Sequence, residues 1–227
     1  MITSPDPLDF SALSAHLEQG ARVALFIRHS ERPPIRADDR DFGKHLGLTP
    51  HGIALAETAG KNFVNTTDTR FLASPMMRCR LTARHFAEGM GISKPQVEDA
   101  DTLGVKGYFY EDPYAVQEIM RRQGYMAYML EYLEKGSAPY SCPIDSATEQ
   151  TLTWLQNQST AKLNLFVSHD IFVASILTGL KLRAYTQTDW VGFLHGFVLI
   201  QHPNSSWHCQ PCVPSQAELS SPSPFLH

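Results

Sequence analysis

Val23-Ala24-Leu25-Phe26-Ile27-Arg28-His29-Ser30-Glu31-Arg32-Pro33-Pro34 is the stretch on which the fold reading turns. Five apolar residues in a row predict a strand buried on both faces, as in a parallel sheet. Two prolines then force the chain out of the sheet. Arg28, His29 and Arg32 therefore stand where a buried strand ends.

Two more segments repeat the pattern. Leu163-Asn164-Leu165-Phe166-Val167 reads as a second buried strand, stopping at Ser168-His169-Asp170, with an apolar helix running on to about Leu180. Arg70-Phe71-Leu72-Ala73 reads as a short strand leading into Ser74-Pro75 and a helix from about Met76 to Glu88, ended by Gly89 and Gly91. Between the first two, Thr49 is the expected N-cap and Pro50 the first residue of a helix reaching about Val64. The aromatic and Met-rich middle looks helical after Pro113, and a further helix spans Asp145 to Gln158, capped by Asp145 or Ser146. Phe193 to Gln201 and Trp207 to Gln210 read as a hairpin at a sheet edge, and the proline-rich stretch from Pro211 as a loose tail.

Strands alternating with helices predict an α/β fold: a mostly parallel sheet flanked by helices on both faces. A single domain over 1–227 is expected, with a small helical insertion at about 95–145 and a tail at about 213–227. Ligands of such sheets bind beyond the carboxyl ends of the strands. Three charged segments distant in sequence are thereby expected at one edge.

Composition narrows the ligand. A net charge of -4 and a pI near 6.2 give no global pull toward nucleic acid or anionic membrane, so an anionic substrate needs a local basic cluster. Apolar runs are too short to span a bilayer, and the N-terminal residues lack a signal-peptide pattern. Four cysteines, at 79, 142, 209 and 212, are too few for a disulfide framework; a reducing, cytoplasmic setting is expected. Cys209-x-x-Cys212 has no second half with zinc-ligand spacing, so no metal is expected there.

A phosphoryl group needs positive charge on its equatorial oxygens and a nucleophile in line with the leaving oxygen. Arg28, Arg32 and Arg78 offer three planar forks for the first task. His29, Ser30, Ser74 and His169 are candidates for the second, and a neutral imidazole attacks phosphorus through a covalent intermediate. A carboxylic acid is then wanted for the leaving oxygen, and Asp170 adjoins His169. The scheme calls for no metal or cofactor. Each residue alone has a plainer use: His29 as a polar strand end, Arg78 as a surface arginine, Asp170 as a helix cap.

Together these residues resemble a known family. Arg28-His29-Ser30-Glu31-Arg32-Pro33-Pro34 is similar to the RHGxRxP signature of the histidine phosphatase superfamily, with serine for glycine. Ser74 to Ala83 resembles its second arginine segment, "SPxxRxxxTA", and Ser168-His169-Asp170 its second-histidine segment, in the His-Asp form of the histidine acid phosphatase branch. Leu48-Thr49-Pro50-His51-Gly52 looks like the "LTxxG" helix start of the phosphoglycerate mutase branch. The resemblance implies a phosphoglycerate mutase-like fold and a phosphatase acting on a phosphorylated small molecule or phosphoprotein. It implies a phosphohistidine on His29, phosphate held by Arg28, Arg32, Arg78 and His169, and Asp170 as proton donor. Glu31, Glu111 and Asp112 are rival acids. Two departures stand out: Ser30 adds a side chain near the site, and the chain is short for a histidine acid phosphatase. A mutase-like phosphoryl transferase is the alternative enzyme, and an inactive phosphate-binding regulator the alternative of another class.

Overall fold

The structure, a computed structural model, describes residues 6–36, 39 and 41–215. A seven-stranded sheet organises it, in the order β1-β7-β6-β2-β5-β3-β4. The strands are β1 (Leu8–Asp9), β2 (Arg22–Arg28), β3 (Thr69–Ala73), β4 (Val97–Asp99), β5 (Leu163–Ser168), β6 (Gly196–Gln201) and β7 (His208–Val213). Four pairings are parallel, and the two made by β6 are antiparallel. The expected mostly parallel sheet is the one observed.

Seven helices accompany it: α1 (Phe10–Glu18), α2 (Pro50–Gly60), α3 (Met77–Gly89), α4 (Pro113–Gln123), α5 (Tyr125–Lys135), α6 (Ile144–Gln158) and α7 (Asp170–Gly179). The continuous apolar run of β2 explains the layers, because alternate residues of a strand face opposite sides. Val23, Leu25 and Ile27 join the core under α1, α2 and α3. Ala24 and Phe26 join the opposite core, under α4 to α7. Cys209 and Cys212 divide the same way, one in each core, so they do not form one metal site.

Three sequence readings need correction. The β6–β7 hairpin lies inside the sheet, because β1 adds alongside β7 at Cys212 and Val213; two residues are too short a strand to show a period. Pro211 belongs to β7 rather than to a tail. It is tolerated there because β1 begins its pairing only at Cys212, so no β1 residue pairs opposite it. Helix α6 starts one residue early, with Pro143 at the N-cap and no side-chain cap bond; Asp145 instead sits in the first turn, where its charge suits the helix dipole. The expected tail beyond residue 215 lies outside the described residues.

The α2–α3 contact sets the position of the second arginine segment. Gly60 lies against the Phe86 carbonyl, where a Cβ would come within 2.0 Å, and Gly89 against the Glu57 carbonyl at 1.9 Å. Helix propensity alone favours alanine over glycine by about 1 kcal/mol. Here backbone would have to give way, so Gly89→Ala is expected to destabilise by about 1–3 kcal/mol, lowering Tm by roughly 2–12 °C. A thermal melt showing equal or higher Tm would contradict the close contact.

Candidate active site

Register brings the three segments together. Arg28 of β2 pairs with Ser168 of β5, and Ala73 of β3 pairs with Val167 of the same strand. The next residues are tied across: His29 N–H donates to the Ser168 carbonyl at 2.9 Å, and Ser74 N–H to the Val167 carbonyl at 2.9 Å. His29, Ser74 and His169 thus leave the sheet side by side. Above them is a cavity of about 350 Å³ lined by Arg28, His29, Arg32, Arg78, His169 and Asp170 among others.

His29 is 2% exposed. Its Nδ1 lies 2.8 Å from the Ser30 carbonyl, which can only accept, so Nδ1 carries the proton and Nε2 keeps the lone pair. Burial, reinforced by His169, Arg28 and Arg78, holds this imidazole well below its ordinary value. It is neutral at physiological pH.

The arginines converge without neutralising one another. Arg78 donates to the Gly43 carbonyl at 2.9 Å and lies 3.4 Å from His169 Nδ1. Arg32 donates to the Pro33 carbonyl at 2.8 Å. Arg28 donates to the Val191 carbonyl, and its guanidinium carbon sits 4.3 Å from the Phe193 ring centroid. Burial, with Arg78 and Arg28 beside it, pushes Arg32 down to about 10. The Nε of each of the three is buried with no hydrogen-bond partner among the described residues. Buried donors are nearly always paired, so three orphans around one cavity mark a place for an acceptor.

Asp170 is the carboxylate beside Arg28. It accepts from Tyr125 Oη at 2.9 Å and Trp190 Nε1 at 3.1 Å, and lies 3.4 Å from Arg28. Burial would push its carboxyl up, but Arg28, Trp190, Tyr125 and His169 outweigh this and hold it below the usual range. At rest it is an anion. His169 Nε2 lies 3.0 Å from Ser74 Oγ. Because Arg78 only donates, Nδ1 must accept and Nε2 must carry the proton, given to Ser74. Burial and Arg78 push His169 down to about 3.

Residues 24–103 match the family model of the histidine phosphatase superfamily, branch 1. The matched segment holds Arg28, His29, Arg32 and Arg78; the His169-Asp170 pair, which carries the resemblance to the acid phosphatase branch, lies outside it. The structure is similar to that of mycobacterial glucosyl-3-phosphoglycerate phosphatase, with a TM-score of 0.55 and 15% identity over 86% of this chain and 100% of that one. It is also similar to phosphoglycerate mutase from Bacillus anthracis, with a TM-score of 0.52 and 11% identity over 86% of this chain and 94% of that one. At these identities the likeness is one of fold, the phosphoglycerate mutase-like fold. Among curated protein sequences none matches the chain.

Within the matched segment, Ser30 does not crowd the cavity. Its hydroxyl turns away and donates to the Gly52 carbonyl at 2.7 Å, while its N–H donates to Thr82 Oγ1 at 2.9 Å. Glu31 also points away, accepting from Thr49 Oγ1 at 2.7 Å and contacting His51 Nδ1 at 3.2 Å. It braces the start of α2, where Thr49 caps the N–H of Gly52 as expected, and does not line the cavity. Glu111 is exposed, with its N–H on the Tyr140 carbonyl, and Asp112 caps α4; neither lines the cavity. Arg36 and Asp39, in the segment between β2 and α2, line it. Of three tyrosines with helical spacing, Tyr128 and Tyr132 are core, whereas Tyr125 reaches Asp170. Tyr125, Trp190 and Phe193 carried no sequence signal that joined them to the motif.

The two neutral histidines predict the pH response of stability. The unfolded chain protonates both below the ordinary value of 6.5, and the folded chain does not. The unfolded state then binds more protons, so stability falls as pH falls. For His169 the loss runs from pH 6.5 down to about 3, at about 1.4 kcal/mol per pH unit. Urea melts at a series of pH values are expected to show a shallower decline for His169→Asn than for wild type; equal slopes would contradict a neutral His169.

Proposed function

We propose that this chain is a phosphatase that hydrolyses phosphate monoesters through a phosphohistidine on His29. The observation that carries the reading is the set of three orphaned guanidinium Nε–H donors around a neutral, buried imidazole. A phosphate dianion supplies the missing acceptors and the missing charge. His29 Nε2 then attacks phosphorus; the N–P bond forms as the P–O bond to the alcohol breaks. The leaving oxygen takes a proton from Asp170. Water next attacks phosphorus, gives its proton back to Asp170, and the N–P bond breaks to release inorganic phosphate.

Asp170 serves as acid only if substrate reverses its resting state. Arriving phosphate competes for Arg28 and adds negative charge nearby, and both raise a carboxyl's proton affinity. His169 takes part in the same way, since a bound dianion favours the protonated imidazole that can donate to it. Substrate binding thus draws from solvent the protons that turnover needs.

His29→Ala is expected to abolish turnover, and labelled substrate to leave an acid-labile, base-stable label on the wild-type chain. Near-normal activity of His29→Ala would overturn the covalent route. Asp170→Asn is expected to slow alkyl phosphates on the order of 10²–10⁴-fold while largely sparing aryl phosphates, whose phenolates leave with little help. With wild type, kcat for alkyl esters should fall as pH rises, as Asp170 loses its proton, while aryl esters respond less. His29 imposes no acid limb near neutrality, because its imidazole is already neutral there.

A further inference from the structure

We infer that the ester cleaved here has a bulky, uncharged, largely apolar leaving group with one hydrogen-bonding function, carried on a small molecule. The inference rests on the phosphatase reading for the phosphate end and on the opposite wall for the alcohol end. That wall is built by α4, the start of α7 and the segment before α4. Val116, Met120, Ile171 and Phe172 line it, each no more than 9% exposed as a residue. Val105 and Tyr110 complete it, and the Tyr110 ring packs on Phe172 with centroids 5.8 Å apart. The cavity of about 350 Å³ falls at the small end of the range that encloses drug-sized ligands, roughly 300–1,000 Å³. A phosphate gripped by the three arginines leaves the rest to the alcohol.

The polar groups at that end are few, which is what excludes other alcohols. A sugar or glycerol moiety needs several partners for its hydroxyls, and burying them unpaired is costly. The wall offers the Gln117 amide and the Tyr110 hydroxyl, which makes no hydrogen bond among the described residues. Burial keeps that phenol protonated, so it donates to one acceptor. A second anionic group finds little welcome either. Arg121 is engaged by Glu118, Arg36 has a partner of its own, and Asp39 adds negative charge beside them. Substrate choice then follows apolar contact on the wall.

The test uses esters of matched leaving-group basicity, so that chemistry does not mimic binding. The kcat/KM for 2-(2-naphthyl)ethyl phosphate should exceed that for ethyl phosphate by at least about tenfold, as burial of one large apolar group implies. Glycerol 1-phosphate and glucose 6-phosphate should rank no better than ethyl phosphate. Met120→Ala should cut the naphthylethyl-to-ethyl ratio several-fold; the ratio is taken on one preparation and is independent of how much of it is folded. The matching phosphonates, with a methylene in place of the ester oxygen, are titrated by calorimetry in the same order. If no ester turns over but the naphthyl phosphonate binds best, the catalytic reading fails while the preference of the wall for a bulky apolar group stands. If esters turn over with ethyl, glycerol or glucose preferred, or a phosphoseryl peptide, which also leaves as an alkoxide, outruns the naphthylethyl ester, the inference is overturned.

Discussion

Arg28, Arg32 and Arg78 gather around Asp170 at the His29 end of the cleft, and the surplus of positive charge there is the constraint around which the site is built. Removing charge from water is expensive unless partners are supplied. Backbone carbonyls supply some of them, at Val191 for Arg28, Pro33 for Arg32 and Gly43 for Arg78. The Phe193 face and Asp170 take more of Arg28. What is left over is visible in the lowered affinity of Arg32 and Arg78 for their protons and in the orphaned Nε atoms. Stability given up at such a place is the usual cost of a preorganised anion site.

The same surplus decides the protonation of everything nearby. His29 and His169 are denied a proton, and Asp170 is denied one as well, although burial alone would give it one. Nucleophilicity and acidity are therefore set by opposite conditions. The field of the cleft keeps His29 neutral and Asp170 an anion. In the proposed reaction, charge brought in by the substrate would convert the carboxylate into an acid, so that one electrostatic imbalance would serve both steps. Cys79, beneath His169, stays outside this exchange: burial pushes its thiol up to about 12.

The sheet and its basic edge were legible because they depend on local signals. A five-residue apolar run broken by prolines gives a buried strand end, and parallel register then makes three such ends coincide. Thr49 and Pro50 announced α2 by capping chemistry alone. What escaped depends on contacts with no local pattern. Tyr125 and Trp190 reach Asp170 across 45 and 20 residues. Tyr125 shares a helical period with two core tyrosines, so periodicity assigns all three to packing. The two-residue β1 carries no period, and without it the β6–β7 hairpin looks like an edge. Ser30 for glycine looked like crowding, but strand direction sends its hydroxyl to Gly52. There a Cβ would fall 2.1 Å from the Glu31 carbonyl, so glycine permits the close approach that hides Ser30 and Glu31.

Fold likeness does not separate the proposed phosphatase from a mutase, since a glucosyl-3-phosphoglycerate phosphatase and a phosphoglycerate mutase share this architecture. The difference lies in what the cavity must do after the first transfer. A mutase must keep its dephosphorylated product, exclude water and hand the phosphoryl group to a second hydroxyl of a small, charged, oxygen-rich acid. That requires cationic and hydrogen-bonding groups along the whole cavity. Here Arg28, Arg32 and Arg78 stand at the His29 end, while the far wall presents Val116, Met120, Ile171 and Phe172 with Gln117 and an Arg121 paired to Glu118 beside them. An alcohol held by apolar contact is not fixed in register for a second transfer. Once it departs, water can reach the phosphohistidine. The mostly apolar far wall of the cavity therefore supports the proposed hydrolysis over return of the phosphate.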